Sequence, residues 1–187
     1  MLGGQIAEVL HNKAGEVVPV LLASDPAVSK ANSEAVLEHY LETGDREELR
    51  QPEDATIVGL RVLTEEEMGT CYRRAGRISK LGEIINARME GLSDADEVEA
   101  LEKLTDTERR AMAYNTARQH RFMSLLLNTS VQSVSTCKNF EPGRAMDWVR
   151  TIGDMHVEAK VCAELFTHAL RINTAGARGK ASGPRSG

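Results

Sequence analysis

Two segments of the sequence carry apolar residues at alternating steps of three and four, and this spacing is typical of helices with one apolar side. They run from 68 to 89 and from 145 to 169, and small residues in the first would let another helix approach closely. Two such segments offer more apolar helix surface than one small domain needs, so we expect them to contact other chains. The expected contact residues are Met68, Cys71, Ala75, Ile78, Ile85, Met89, Trp148, Ile152, Met155, Cys162 and Phe166.

Helix starts are marked by three capping boxes, in which a Ser or Thr is followed three residues later by an acidic residue. The pairs are Thr64 with Glu67, Ser93 with Asp96, and Thr105 with Glu108. They predict helices beginning near 65, 94 and 106. The consecutive glutamates at 65–67 then lie where the helix dipole favours negative charge, and adjacent helical side chains diverge by about 100°. We therefore predict a helix start there and no metal site.

The N-terminal part of the chain favours β-structure. Ile6–His11 and Glu16–Leu22 read as two strands of a hairpin joined by a turn at 12–15, and Pro19 predicts that the second is an edge strand. A third strand is predicted at Ile57–Leu63. Between the last two, residues 24–44 predict a short helix.

These elements predict a mainly α fold: a helical bundle with a small N-terminal β-hairpin or three-strand β element. An aromatic content of only 4% also suits helix packing better than a β-sandwich. The predicted organisation is 1–63 for the β-hairpin, short helix and third strand, 64–173 for the helical domain, and 174–187 for a flexible basic tail.

Charge and cysteine content narrow the functional classes. Residues 1–68 hold 14 acidic and 5 basic residues, whereas residues 69–187 hold 14 acidic and 18 basic residues. The two parts could attract within or between chains, or they could be ordinary solvated faces. Three widely spaced cysteines suggest neither a disulfide framework nor a zinc site. With no apolar run of membrane-spanning length, we expect a soluble, non-secreted protein without a membrane partner.

Catalytic patterns are missing from the sequence. It has no G-x-S-x-G elbow and no H-E-x-x-H helix, and the glycines near Lys180 lack phosphate-loop spacing. We interpret Glu164 and His168 as a surface pair and Cys162 as a small hydrophobe. The sequence predicts no catalytic residues, no metal and no cofactor, and favours a non-enzymatic role. An enzyme whose site is assembled from remote residues is a further alternative.

A basic segment supports an alternative function, that of a nucleic-acid-associated adaptor. Residues 109–121 interleave arginines with Tyr114, and the C-terminal tail adds further positive charge. The acidic total charge speaks against binding by the whole domain. The candidate nucleic-acid contacts are Arg109, Arg110, Arg118, Arg121, Arg178, Lys180 and Arg185.

The strand-to-helix junction at Arg61, Val62, Leu63, Thr64 and Glu67 resembles a start found in small morphogenesis proteins of tailed bacteriophages, notably tail assembly chaperones. Those proteins often carry an arginine, a hydrophobe or proline, a leucine, a Ser or Thr and a glutamate in this order. The resemblance covers residues 57–67 of 187, and valine stands where many of them have proline. It implies a structural or assembly protein of a virion or the host cytoplasm. Its partners would be further copies of itself or other virion or assembly proteins.

Overall fold

A computed structural model describes residues 13–178, with side chains up to Thr174. The prediction of a mainly helical protein with a small antiparallel β element is confirmed. The elements are β1 Val17–Leu21, α1 Pro26–Ala31, α2 Glu34–Thr43, β2 Ile57–Arg61, α3 Glu65–Ala75, α4 Lys80–Met89, α5 Asp94–Glu102, α6 Asp106–Ser130, β3 Val131–Val134, α7 Ala145–Arg150 and α8 Met155–Arg178. The chain forms two compact units: unit 1 is 1–65 with 126–187, and unit 2 is 66–125.

The sheet lies in unit 1 and has the order β1-β2-β3 with both pairs antiparallel. Pro19 lies on the edge strand β1, as the sequence predicts, and pairs with Gly59 of the central strand. The predicted third strand at Ile57–Leu63 is β2, and the last strand of the sheet, Val131–Val134, was not among the predicted strands. The predicted strand at Ile6–His11 lies outside the described residues.

Unit 1 builds part of its core between β1 and the helices that follow it. Asp25 caps α1 by accepting a hydrogen bond from the Ala27 amide at 2.8 Å, and Gly44 ends α2 with a φ of 78°. The predicted helix over 24–44 is two helices, because the backbone at Asn32 is extended. One cluster of buried apolar residues in this part of unit 1 consists of Leu21, Ala23, Val28, Tyr40 and Ala55.

Three helices, α3, α5 and α6, begin at the predicted capping boxes, and α4 begins after Ser79. The Ser93 hydroxyl donates to the Asp96 carboxylate at 2.6 Å, and α5 begins at the next residue. The Thr105 hydroxyl donates to the Glu108 carboxylate at 2.8 Å, while the Glu108 amide donates to the Thr105 hydroxyl. The predicted starts near 65, 94 and 106 agree with α3, α5 and α6.

Neither long apolar segment is one continuous helix, which corrects the expectation from their spacing. The first is divided into α3 and α4 at Gly76, whose φ is 100°. The second is divided into α7 and α8 at Gly153, whose φ is 76°. Glycine adopts this left-handed conformation without the cost that other residues incur. The chain therefore leaves the helical conformation at these glycines although the apolar spacing continues. Helix α8 extends to Arg178, beyond the predicted helix end at 173.

Candidate functional site

The first predicted contact series, on α3 and α4, is largely covered within the chain. Cys71, Ala75 and Ile85 are buried, and Met68 and Met89 are partly buried. Only Ile78 is exposed, at 46%. The buried members are not available to a second chain in this conformation.

The close approach expected at Gly82 takes place within unit 2. A Cβ placed on Gly82 would lie 2.7 Å from the Ala111 carbonyl oxygen and 2.4 Å from the Asn115 side-chain nitrogen, both on α6. Asn115 also accepts a hydrogen bond from the Ser79 amide at 2.8 Å and donates to the Ser79 carbonyl at 3.0 Å. The helix that uses this small-residue contact is therefore α6 of the same chain.

Several large apolar side chains of unit 2 remain exposed. In the described part of the chain nine large apolar side chains are exposed, and seven of them belong to unit 2, so the uncovered apolar area is concentrated there. We define the exposed apolar surface by five of the seven: Ile78 and the α4 residues Leu81 and Ile84, together with Leu92 and the α5 residue Val98. Leu81 and Ile84 are 37% and 58% exposed, and Val98 is 58% exposed.

Sequence reasoning missed four of these five residues because they lie off the three-and-four spacing. Ile84 lies about 100° around α4 from the buried Ile85, and Leu81, three residues before Ile84 and four before Ile85, lies at the border between the two sides. Val98 is surrounded in sequence by acidic residues, so it belongs to no apolar series. In the sequence these residues appear only as isolated apolar residues between charged ones, which does not predict an apolar helix face.

The second predicted contact series, on α7 and α8, is also divided. Cys162 is buried, Trp148, Ile152 and Phe166 are partly buried, and Met155 is 77% exposed. Trp148 meets Phe140 edge to face with ring centroids 6.4 Å apart. Burial, followed by the negative charge of Glu158, raises the pKa of the Cys162 thiol. That shift opposes a nucleophilic role for this cysteine.

Three of the four candidate arginines in residues 109–121 donate hydrogen bonds to backbone carbonyls in unit 2. Arg109 donates to the Glu102 carbonyl at 2.8 Å and to the Leu104 carbonyl at 3.2 Å. Arg118 donates to the Gly76 carbonyl at 2.8 Å, and Arg121 donates to the Ala75 carbonyl at 3.3 Å. These guanidinium groups satisfy carbonyls at the ends of α3 and α5.

Of the remaining candidates for nucleic-acid contact, only Arg110 has a described side chain. Arg110 is exposed on α6. Arg178 ends α8 with its side chain beyond the described ones, and Lys180 and Arg185 lie outside the described residues. Tyr114 is 46% exposed, whereas Phe122 is buried and stacks on Tyr72 with ring centroids 4.4 Å apart.

A buried polar cluster in unit 1 corrects the interpretation of Glu164 and His168 as a surface pair. Their side chains are only 5% and 4% exposed, and His168 Nε2 lies 3.8 Å from Glu164 Oε1. Glu164 Oε1 accepts a hydrogen bond from the Ala23 amide, and Glu164 Oε2 accepts from the Ser24 amide at 3.0 Å and the Ser24 hydroxyl at 2.8 Å. The carboxylate therefore fixes the chain after β1 to α8.

The rest of this cluster surrounds the histidine ring. Tyr40 packs against His168 with ring centroids 5.1 Å apart, and its hydroxyl donates to the Leu21 carbonyl while accepting from the Leu21 amide. Arg171 approaches His168 Nδ1 at 3.1 Å and also donates to the Leu41 carbonyl. Burial raises the pKa of Tyr40. His168 Nε2 is the buried side-chain atom without a hydrogen-bond partner among the described residues.

This cluster has the residue types of an acid–base site but the surroundings of a structural one. Both carboxylate oxygens of Glu164 already accept backbone or hydroxyl hydrogens, so neither is directed at a substrate. No three His, Cys, Asp or Glu side chains in residues 13–174 are grouped to hold a metal ion. The exposed apolar surface of unit 2 is therefore the better candidate for function.

Among the helices described, none combines the length and the apolar character needed to cross a membrane. Comparisons of the chain with protein-family models, with curated proteins and with solved structures found no match.

Proposed function

We propose that the protein is a non-enzymatic assembly protein that binds further copies of itself through the exposed apolar surface of unit 2. The observation that carries this proposal is the grouping of Ile78, Leu81, Ile84, Leu92 and Val98 as uncovered side chains within one unit. Isolated apolar residues are ordinary on a protein surface, whereas several within one small unit are typical of an interaction site.

The charge of unit 2 is compatible with self-association. Residues 66–125 hold 11 acidic and 10 basic residues, which leaves a net charge of −1. Copies of this unit therefore do not repel each other strongly, and a net charge near zero favours association. The five side chains of the exposed apolar surface are few compared with the roughly 20–30 residues that each partner contributes to a standard stable interface, so we expect concentration-dependent, micromolar association.

A role in bacteriophage assembly follows from the resemblance at Arg61–Glu67. Strand β2 ends at Arg61 and α3 begins at Glu65, which is the strand-to-helix order that the resemblance implies. We propose that the protein acts as a structural or morphogenesis component of a tailed phage, in the virion or in the host cytoplasm during assembly. Self-association is the property through which it would act.

Light scattering after size exclusion tests self-association directly. We expect the wild-type mass to exceed that of the 20.5 kDa monomer and to rise with concentration at tens of micromolar. The double substitution Leu81→Ser with Ile84→Ser should return the monomer mass with unchanged helical circular dichroism. Val17→Thr, at a 48% exposed position in unit 1, is the control and should associate like the wild type. A wild-type protein that stays monomeric at these concentrations would remove the proposal.

The nucleic-acid alternative gains no comparable observation. Three of its arginines hold carbonyls within unit 2, so their charge is already used in part by the fold. A salt titration with random-sequence DNA separates the two functions, because phosphate contacts weaken steeply as salt rises. Self-association should weaken far less over the same range, because salt screens only the few exposed charges that flank its apolar residues.

A further inference from the structure

We propose that α5 of one copy packs against α4 of a second copy, so that copies join head to tail. This inference rests on the proposed self-association and specifies its geometry. It follows from two helices of unit 2 that each carry an exposed apolar residue flanked by two charges at the same spacing, with opposite charge on the two helices.

Helix α5 is the less covered half of the interface. None of its residues is buried, and Val98 is 58% exposed. A helix of nine residues is marginally stable alone in water, because most helical stability in proteins comes from packing of an apolar face. Helix α5 therefore gains the most from a second chain that covers Val98.

The charges around Val98 are symmetric along the helix. Asp94 lies four residues before it and Glu102 four residues after it, so both share the face of Val98. Both are exposed and make no ion pair within the described part of the chain. The face is thus an apolar centre with one negative charge a helical turn away on each side.

Helix α4 presents the same arrangement with positive charge. Ile84 is 58% exposed, and Lys80 and Arg88 lie four residues before and after it. Leu81, 37% exposed, widens the apolar centre. In both helices the two charges are eight residues apart, which is about 12 Å along the axis at 1.5 Å per residue. The faces can therefore meet with each acidic side chain near a basic one.

The wider segments repeat this opposition. Residues 73–88 contain five basic residues and one acidic residue, whereas residues 90–102 contain six acidic residues and no basic residue. Arg88 pairs with Glu108 at 2.9 Å but remains 56% exposed, so it can still face a second carboxylate. Exposed ion pairs are individually weak, but several together orient an encounter and select the partner.

The partner is a second chain, because the two helices do not cover each other within one chain. Ile84 and Val98 are both 58% exposed although only residues 90–93 separate α4 from α5. A copy that offers α5 to one neighbour keeps its own α4 for another. Such a heterologous contact continues from copy to copy, and it closes into a ring or extends into a filament according to its rotation.

Charge reversal on each side tests this arrangement. The acidic-side variant carries Asp94→Lys with Glu102→Lys, and the basic-side variant carries Lys80→Glu with Arg88→Glu, which also removes the exposed bond between Arg88 and Glu108. Each variant alone should associate about tenfold more weakly than the wild type, since repulsion replaces attraction at two exposed pairs. Mixing the two variants should restore association, because each junction between unlike copies regains opposite charges.

A matched control separates this effect from a change in total charge. Glu34 and Glu42 occupy the first and ninth positions of α2, as Asp94 and Glu102 do in α5, and both are exposed. Glu34→Lys with Glu42→Lys should leave association unchanged. Val98→Ser, a single change at an exposed position that the fold should tolerate, should weaken association as the acidic-side variant does.

Sedimentation velocity at low salt measures the association of the wild type, of each variant and of the mixture. Circular dichroism confirms that each variant keeps its helical content. If the wild type associates and the mixture of the two variants does not, or if either variant associates like the wild type, the head-to-tail contact is overturned while self-association stands. If the wild type itself is monomeric, both proposals are removed.

Discussion

Glu164 on α8 accepts hydrogen bonds from the backbone amides of both Ala23 and Ser24, which lie just beyond the end of β1. A glutamate side chain only 5% exposed thus satisfies two amides that lie 141 and 140 positions away in sequence. The contact explains why α8 carries an acidic residue on its buried side. The Ser24 hydroxyl donates a third hydrogen bond to this carboxylate, to Oε2 at 2.8 Å.

Removing this carboxylate should destabilise unit 1. Glu164→Ala leaves the Ala23 and Ser24 amides unsatisfied in a buried setting, and we expect a loss of about 3 kcal/mol in the free energy of unfolding. Glu164→Gln keeps one acceptor oxygen and should cost roughly half as much. Urea unfolding measures both. Glu158→Gln, a less buried position of the same helix, should change stability by less than about 0.5 kcal/mol, and an equal loss there would contradict the assignment.

The Tyr40 hydroxyl should matter independently of its ring. It donates to the Leu21 carbonyl at 2.9 Å and accepts from the Leu21 amide at 3.1 Å, so it satisfies both backbone groups of this β1 residue. Tyr40→Phe retains the ring against His168 and should cost about 1–3 kcal/mol, the penalty of leaving buried polar groups unpaired. Tyr114→Phe, at a 46% exposed position, is the control. Thermal and urea unfolding that show no difference between these variants would contradict the role of the hydroxyl.

Local chemistry is what made the helix starts predictable from sequence. Each capping box acts within four residues, so Ser93 with Asp96 and Thr105 with Glu108 could be recognised without knowing the fold. The helix stop at Gly44 was equally local. The edge position of Pro19 was predictable because proline has no amide hydrogen for a central strand.

Features that depend on distant residues were not predictable in this way. The apolar spacing continues across Gly76 and Gly153, so periodicity alone gave one helix where the structure has two. Strand β3 forms because Val131–Val134 pairs with a strand more than 70 residues earlier, and its short sequence shows no alternation. The buried Glu164 was mistaken for a surface residue because its partners, Ala23 and Ser24, lie in another segment.

The difference between local and distant contacts also explains which parts of the candidate site were missed. The sequence identified apolar helix faces correctly as packing surfaces, but much of the first one packs within the chain. Cys71, Ala75 and Ile85 are buried, and Gly82 serves the contact with α6. A face that a chain covers itself and a face that it leaves open carry the same periodic pattern. Only the packed structure distinguishes Ile85 from its exposed neighbour Ile84.

Two helical glycines should respond in opposite directions to alanine. Gly82→Ala places a Cβ 2.7 Å from the Ala111 backbone oxygen, which cannot move freely, so we expect a loss of about 1–3 kcal/mol. A Cβ at Gly69 meets only the end of the flexible Arg73 side chain at 3.2 Å, so Gly69→Ala should stabilise by about 0.5–1 kcal/mol through helix propensity. Urea unfolding of the two variants provides a matched comparison. Stabilisation by both substitutions would show that α4 and α6 do not pack as closely as described.

The capping box at the start of α6 should be visible in a pH titration. Hydrogen bonds from the Thr105 amide and hydroxyl, followed by the Arg88 guanidinium, lower the pKa of Glu108 from 4.5 to about 2. A carboxyl whose pKa is depressed in the folded state stabilises the fold above its unfolded pKa, and this contribution is lost as the pH falls from about 4.5 towards 2. Carboxyl carbon chemical shifts should therefore give a midpoint near 2 for Glu108. Thr105→Val and Arg88→Ala should each move that midpoint upward. Glu108→Gln removes the titrating group, so this variant should lose less stability than the wild type between pH 5 and pH 2. A wild-type midpoint near 4.5 would mean that the box does not form in solution.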